Sequence, residues 1–131
     1  MAIPRVCILL LLPFITSGCG SGPTMYDVQG TVTYDGQPLP TGEISLVPEE
    51  KGIAPDGANI ENGKFSMKAK AGKKLVVIRA SRVMTNPPLG SEVNNPPRED
   101  YLPTRYNSKT TLKAEIGTNS KNDLTYELNS K

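Results

Sequence analysis

Histidine and tryptophan are both absent from this chain of 131 residues. Without histidine the usual general base is missing, and with it Ser-His-Asp triads and Cys-His pairs. A zinc ion would have to be held by carboxylates alone, which is uncommon. Aromatic residues make up only 5% of the chain, so stacking platforms for sugars or bases are thin. Neither charge sign dominates: 15 Lys and Arg stand against 13 Asp and Glu, a net charge of +2. Nucleic acid calls for a concentrated basic face. The one basic cluster, "KAKAGKK" from Lys68 to Lys74, reads as a solvated turn between strands rather than a phosphate or anionic-lipid patch. Long hydrophobic runs are missing too. The most apolar stretch, Val6 to Ile15, is interrupted by Pro13 and is about half the roughly 20 residues that a membrane-spanning helix needs.

That stretch follows a short positive segment, Met1 to Arg5, and ends in small residues before Cys19. Its length matches the hydrophobic core of a secretory signal. The segment "ITSGC" resembles a bacterial lipobox, with Ser17 and Gly18 as the small residues and Thr16 where such motifs usually carry Leu. The resemblance implies cleavage after Gly18, a diacylglyceryl group on the Cys19 sulfur and acylation of the new amino terminus. Several acyl chains on one residue anchor far more durably than one, since each buried methylene contributes about 0.8 kcal/mol. The alternative is an ordinary secreted chain in which Cys19 is incidental. Cys7 lies inside the leader, so the processed chain keeps a single cysteine and no internal disulfide. Loss of residues 1–18 removes only Arg5 from the charge count of +2, leaving +1. The expected division is a signal peptide over 1–18, a lipid-anchored tether over 19–26 and one folded domain over 27–131. Gly20, rather than Asp, follows the cysteine; by resemblance to Gram-negative lipoproteins this implies delivery to the outer membrane, on the extracytoplasmic side.

The rest of the chain alternates with a period of two. Val28, Gly30, Val32 and Tyr34 share one face, as do Ile44 and Leu46, then Leu112, Ala114 and Ile116, then Leu124, Tyr126 and Leu128. Asp35–Gly36 and Asn62–Gly63 are turn pairs. The second predicts a type I′ hairpin between Ala58–Glu61 and Lys64–Met67, because both central residues need positive φ. Lys74 to Val83, "KLVVIRASRV", predicts one central strand with both faces largely buried. Seven strands, with turns about every ten residues, predict an all-β, antiparallel two-sheet sandwich. Met84 to Pro103 stands apart: five of its twenty residues are proline. A structureless loop of this length is unusual in a compact domain, and it reads as either a variable insertion or a functional loop.

The stretch "VQGTVTYDGQPLPTGEISLVPEE", together with "ENGKFSM" and "KLVVIRAS", resembles carboxypeptidase regulatory-like domains, a transthyretin-like sandwich family. "LPTRYNSKTTLKAEI" resembles small planctomycete-type surface lipoproteins, with Arg105 where lysine is common. The resemblance runs from about Asp27 to Leu128 and implies a transthyretin-like fold at a cell surface. In large carboxypeptidases this module is a non-catalytic companion of the enzyme. The transthyretin-like hydrolase of purine breakdown depends on histidines, which are missing here.

Candidate sites are few. Glu49, Glu50 and Asp56 surround one turn, and Glu99 and Asp100 sit in the Pro-rich segment; these read as solvated turn charges, with a carboxylate-based hydrolase the least favoured function. No metal or other cofactor is expected. Tyr101, Arg105 and Tyr106 form the one polar-aromatic cluster. They read either as a ligand or partner contact or as structure, with Tyr106 bonding backbone as buried tyrosines do. The resulting expectation is a non-enzymatic, lipid-anchored cell-envelope protein with a structural or protein-interaction role, its partner an envelope protein or glycan. The alternative is a small-molecule or carbohydrate-binding module that uses loop 84–103.

Overall fold

The computed structural model describes residues 22–118 and 121–131, together with Gly18 and Gly20. The expected leader apart from Gly18, and Cys19 itself, lie outside the described residues. The strands are β1 (Met25–Tyr34), β2 (Gln37–Pro38), β3 (Thr41–Pro48), β4 (Asp56–Glu61), β5 (Lys64–Lys70), β6 (Gly72–Arg79), β7 (Ser81–Val83), β8 (Arg98–Asp100), β9 (Lys113–Ile116) and β10 (Asn122–Leu128), with one 3-10 turn at Thr104–Tyr106. Eight of them form a curled sheet in the order β10-β1-β5-β4-β3-β6-β9, with β2 paired to β1; β7 and β8 form a separate ribbon. The seven strands along this path are the seven read from the alternation. The fold is all-β.

Both turn pairs take the predicted backbone. Asp35 and Gly36 have φ of 49° and 80°, and Asn62 and Gly63 have φ of 50° and 74°, the positive values that a type I′ turn requires. Glycine at position 63 is required for space as well, since a β-carbon there would lie 2.8 Å from Pro38 Cβ and 2.9 Å from Val32 O. Inward residues then meet in one core: Val28 and Val32 from β1, Ile44 and Leu46 from β3, Phe65 and Met67 from β5, Val76 and Ile78 from β6, Tyr126 and Leu128 from β10.

Three expectations change. First, the sheet is not wholly antiparallel: β1 and β10 run parallel, in register from Val28↔Asn122 to Tyr34↔Leu128. The reason is connectivity. β9 ends at the pole where β1 begins, so the segment after it starts β10 beside the start of β1 and both run the same way. The seam between β10 and β9 is spanned by side chains: Tyr126 Oη donates to Lys113 O at 3.4 Å and Gly117 N donates to Asn122 Oδ1 at 2.9 Å.

Second, Lys74–Val83 is not one strand. β6 begins earlier, at Gly72, and stops at Arg79; Ala80 is outside any strand, and β7 pairs with β8 instead of with the main sheet. The basic cluster is therefore strand except at Ala71: Lys68–Lys70 end β5, Gly72 and Lys73 open β6, and Lys74 is strand as the reading of Lys74–Val83 had it. Lys74 falls in phase with Val76 and Ile78 and is 2% exposed. Third, loop 84–103 is structured. Its later part forms β8, Leu102 enters the core, and Met84 N donates to Pro97 O at 2.9 Å, closing the excursion at its base.

The register gives the molecule two poles. At the entry pole β1 begins, with Met25 opposite Lys70, Pro48 opposite Lys74, and Gly72 opposite Ile116. At the loop pole β1 ends, with Tyr34 opposite Leu128 and Glu43 opposite Arg79.

Candidate functional site

Tyr101, Arg105 and Tyr106 all lie at the loop pole, but they form two separate clusters. Tyr101 is placed by its backbone N–H, which donates to Ala80 O at 3.2 Å. Its ring meets Tyr34 edge-on, with centroids 5.7 Å apart, and the Arg82 guanidinium stands 5.6 Å from its centroid. Burial, then the neighbouring Tyr34, push the Tyr101 hydroxyl above its ordinary value, with Arg82 opposing. Arg82 is in turn held by Glu99, Nε to Oε1 at 2.8 Å.

Arg105 and Tyr106 tie down the segment after β10. Tyr106 Oη accepts from Asn129 N at 2.9 Å and donates to Asn129 O at 3.3 Å. Arg105 Nη2 donates to Asn129 O and, at 2.7 Å, to Lys131 O, with its guanidinium 4.8 Å from the Tyr106 centroid. Burial raises the Tyr106 hydroxyl, but the Asn129 backbone and the Arg105 side chain outweigh it and leave it below the usual tyrosine value. Asp35 completes the clamp by accepting from Ser130 N at 2.8 Å. That bond, with the charges of Lys131 and Arg105, holds its carboxyl below the usual range despite the opposing effect of burial. Arg105 and Tyr106 thus tie the segment after β10 to the 3-10 turn at the end of the fold.

The carboxylates are mostly engaged with cations. Glu49 pairs with Lys113 at 3.6 Å, Asp56 with Lys70 at 2.7 Å, Glu99 with Arg82 at 2.8 Å and Asp100 with Arg79 at 3.9 Å. Glu99 and Asp100 belong to β8, in a ribbon rather than in an open loop. Among the described residues no group of three or more His, Cys, Asp or Glu side chains gathers as a metal site, and no helix is long and apolar enough to cross a membrane.

The residues that the sequence reading missed are Leu89 and Val93. The excursion between β7 and β8 is two successive reverse turns. Ser91 N donates to Pro88 O at 3.2 Å, with Ser91 Oγ on the same oxygen at 2.6 Å, and Asn95 N donates to Glu92 O at 3.3 Å. Gly90 has φ of 90°, as the third position of a type II turn demands. Leu89 and Val93 occupy the second position of each turn, Leu89 fully exposed and Val93 93% exposed. Pro87, Pro88, Pro96 and Pro97 restrict the backbone on both sides. The available signal was two apolar residues four apart, each followed by a turn former.

A shallow groove of about 760 Å³ lies over β10, β1 and β5 and reaches β4, lined by Gln29, Gly30, Ser66, Thr125, Asn59 and Glu61 among others. A smaller one of about 410 Å³ lies against the β7–β8 ribbon, between Glu43, Glu61, Arg79 and Arg98.

No family model matches the chain, and no curated protein matches it. Among solved structures, the chain is similar to a 9R-lipoxygenase from Cyanothece PCC8801, at 14% identity and a TM-score of 0.42. That likeness covers 80% of this chain, which spans 16% of the lipoxygenase.

Proposed function

We propose that this chain is a lipid-anchored, extracytoplasmic β-domain with a non-catalytic interaction role at the cell envelope of a Gram-negative bacterium. In this reading Cys19 carries the acyl groups and the domain is a transthyretin-like sandwich of the carboxypeptidase regulatory-like kind. One layer is β10, β1 and β5, and the other is β4, β3, β6 and β9. The limited ladder between β4 and β5, a single residue pair at Glu61↔Lys64 beside the Asn62–Gly63 turn, favours two layers joined at that hairpin.

The observation that carries the functional reading is polarity. The chain enters β1 at one pole, six residues after Cys19, while the excursion with Leu89 and Val93 belongs to the other. An anchor at the entry pole holds the loop pole away from its own membrane, towards neighbours. Four prolines and two hydrogen-bonded turns hold the exposed pair in one arrangement, which lowers the ordering cost of an apolar contact. The partner in this reading is an envelope protein.

Photo-crosslinking in intact cells tests it, with a diazirine amino acid at position 89 or 93 and a control at Thr118, at the entry pole. The reading expects protein adducts from 89 or 93 and none from the control. Equal labelling at all three positions removes the interaction role, and a glycan as the adduct replaces it with the binding-module reading. Mass spectrometry of the same protein reports the Cys19 modification.

A further inference from the structure

We infer that the entry pole is itself a lipid-contacting surface, so that the domain stands on the membrane in one orientation instead of swinging on its tether. The inference rests on the acyl anchor proposed above and adds to it a second, non-covalent contact with anionic phospholipid.

Reach comes first. Five residues separate Cys19 from Met25, and a fully extended chain covers at most about 3.6 Å per residue. The start of β1 therefore stays within about 20 Å of the anchored sulfur, which keeps the entry pole within reach of headgroups.

The surface there is suited to that contact. Met25 and Ile53 are each 38% exposed, two of the few large apolar side chains left open among the described residues. Both are fixed next to Lys70. Met25 is its register partner on β1, and the Lys70 amine reaches Ala54 O at 3.3 Å and Asp56 Oδ1 at 2.7 Å, which pins the segment carrying Ile53. Between this segment and the start of β6 is a cleft of about 220 Å³ lined by Ile53, Glu49, Glu50, Lys70, Lys73 and Lys74. Glu49 is drawn off by Lys113 and Lys70 by Asp56; Lys74 is buried, which leaves Lys73 as the exposed cation of the cleft.

Both poles carry engaged and unengaged cations, Lys64 and Lys131 being exposed and outside any ion pair among the described residues at the loop pole; what the entry pole adds is free lysines beside Met25 and Ile53. At the loop pole every arginine has a partner: Arg79 has Asp100, Arg82 has Glu99, Arg98 has Ser81, and Arg105 has the carbonyls of Asn129 and Lys131. At the entry pole Lys68 is taken by Asp27 and Lys70 by Asp56. Lys51, Lys73 and Lys121 are exposed, and among the described residues no ion pair engages them. Lysines near a bilayer bind anionic headgroups while their stems lie along apolar surface, and Met25 and Ile53 then face the acyl boundary.

The absence of tryptophan gives a clean test. Ile53→Trp and Leu89→Trp each place a single indole at one pole of the full acylated chain. Each variant is reconstituted into phosphatidylcholine vesicles with and without phosphatidylglycerol, prepared with ordinary or brominated acyl chains. The expected result is quenching at position 53 about threefold or more above that at 89, falling on removal of phosphatidylglycerol. Lys51→Glu with Lys73→Glu should halve it. Equal quenching at both positions, or no response to anionic lipid, overturns the inference. Met25→Trp serves in place of Ile53→Trp if that variant loses its cooperative melt. If mass spectrometry finds the Cys19 thiol unmodified, the anchor reading fails; coupling that thiol to a maleimide lipid lets the same quenching comparison judge the orientation separately.

Discussion

Lys70 donates to Asp56 twice, from its amine at 2.7 Å and from its backbone N–H at 3.0 Å. The two residues close the entry pole, joining the end of β5 to the start of β4, and Asp56 is 9% exposed. Burial pushes its carboxyl up. The two Lys70 hydrogen bonds, with the charges of Lys70 and Lys74, pull harder in the other direction and leave it below the usual carboxylate range.

A depressed carboxyl in the folded state stabilises the fold fully above its unfolded value, about 3.9, and the contribution is lost as pH falls through the folded value. Asp56→Asn removes the charge that both donors address, at a cost of about 1.5–3 kcal/mol near neutral pH. Urea melts of both proteins at about pH 7, 5 and 3 should show this gap unchanged between the first two and narrowing at the last. A gap that stays constant down to about pH 3 contradicts the assignment.

Gly30 makes a different kind of contact. A β-carbon there would lie 2.6 Å from Phe65 Cζ and would collide with the carbonyl oxygen of Leu124 on the parallel strand. Gly30→Ala should cost about 1–3 kcal/mol through overpacking. Phe65→Leu in the same chain removes only the ring contact, so a double-mutant cycle should recover part of the loss and no more. Full recovery would mean that the backbone approach of β10 does not require glycine.

These two contacts mark where the sequence stops being legible. Asp35–Gly36 and Asn62–Gly63 could be read directly, since a two-residue turn with two positive φ values admits few residue types. Inward faces could be read as well, because alternation fixes the side of the sheet on which a residue lies. It does not fix which strand is the neighbour, so the parallel partnership of β1 and β10 was invisible until the path of the chain was known. The break at Ala80 was hidden for a related reason: Ser81, Arg82 and Val83 continue an acceptable strand composition, and it is β8, nearly twenty residues on, that takes β7 out of the sheet. Lys74 closes the basic cluster and also opens the strand read as Lys74–Val83, and its phase with Val76 and Ile78 decides for the strand, although lysine is seldom buried. At the candidate site, adjacency in sequence put Tyr101, Arg105 and Tyr106 together, whereas the 3-10 turn sends Tyr106 to Asn129 and leaves Tyr101 with Tyr34.

Tyr106→Phe separates structure from recognition at that cluster. Its hydroxyl both accepts from and donates to the backbone of Asn129, so its loss should cost about 0.5–1.5 kcal/mol and speed amide exchange at Asn129. Tyr101→Phe, whose hydroxyl has no protein hydrogen bond among the described residues, should leave that amide untouched. Unchanged exchange at Asn129 in Tyr106→Phe would reject the clamp.

Leu89 and Val93 offer the converse case, in which side chains are expected to matter to a partner and not to the fold. Both point into solvent from hydrogen-bonded turns and neither belongs to the core. Leu89→Ser with Val93→Ser should therefore change stability by no more than about 0.5 kcal/mol, the range of surface substitutions away from structural features. A diazirine placed between them, at Ser91, should cross-link an envelope protein in the parent chain and lose most of that yield in the double variant. Leaving Gly90 and the four prolines in place keeps the turns, so a lower yield reports the lost apolar contact rather than a collapsed loop. Position 53 lies at the other pole, so lipid quenching of an indole there should not change. A large drop in melting temperature would show that the pair packs against the domain after all. An unchanged yield with an unchanged melt would show that the partner meets this loop without using the apolar pair.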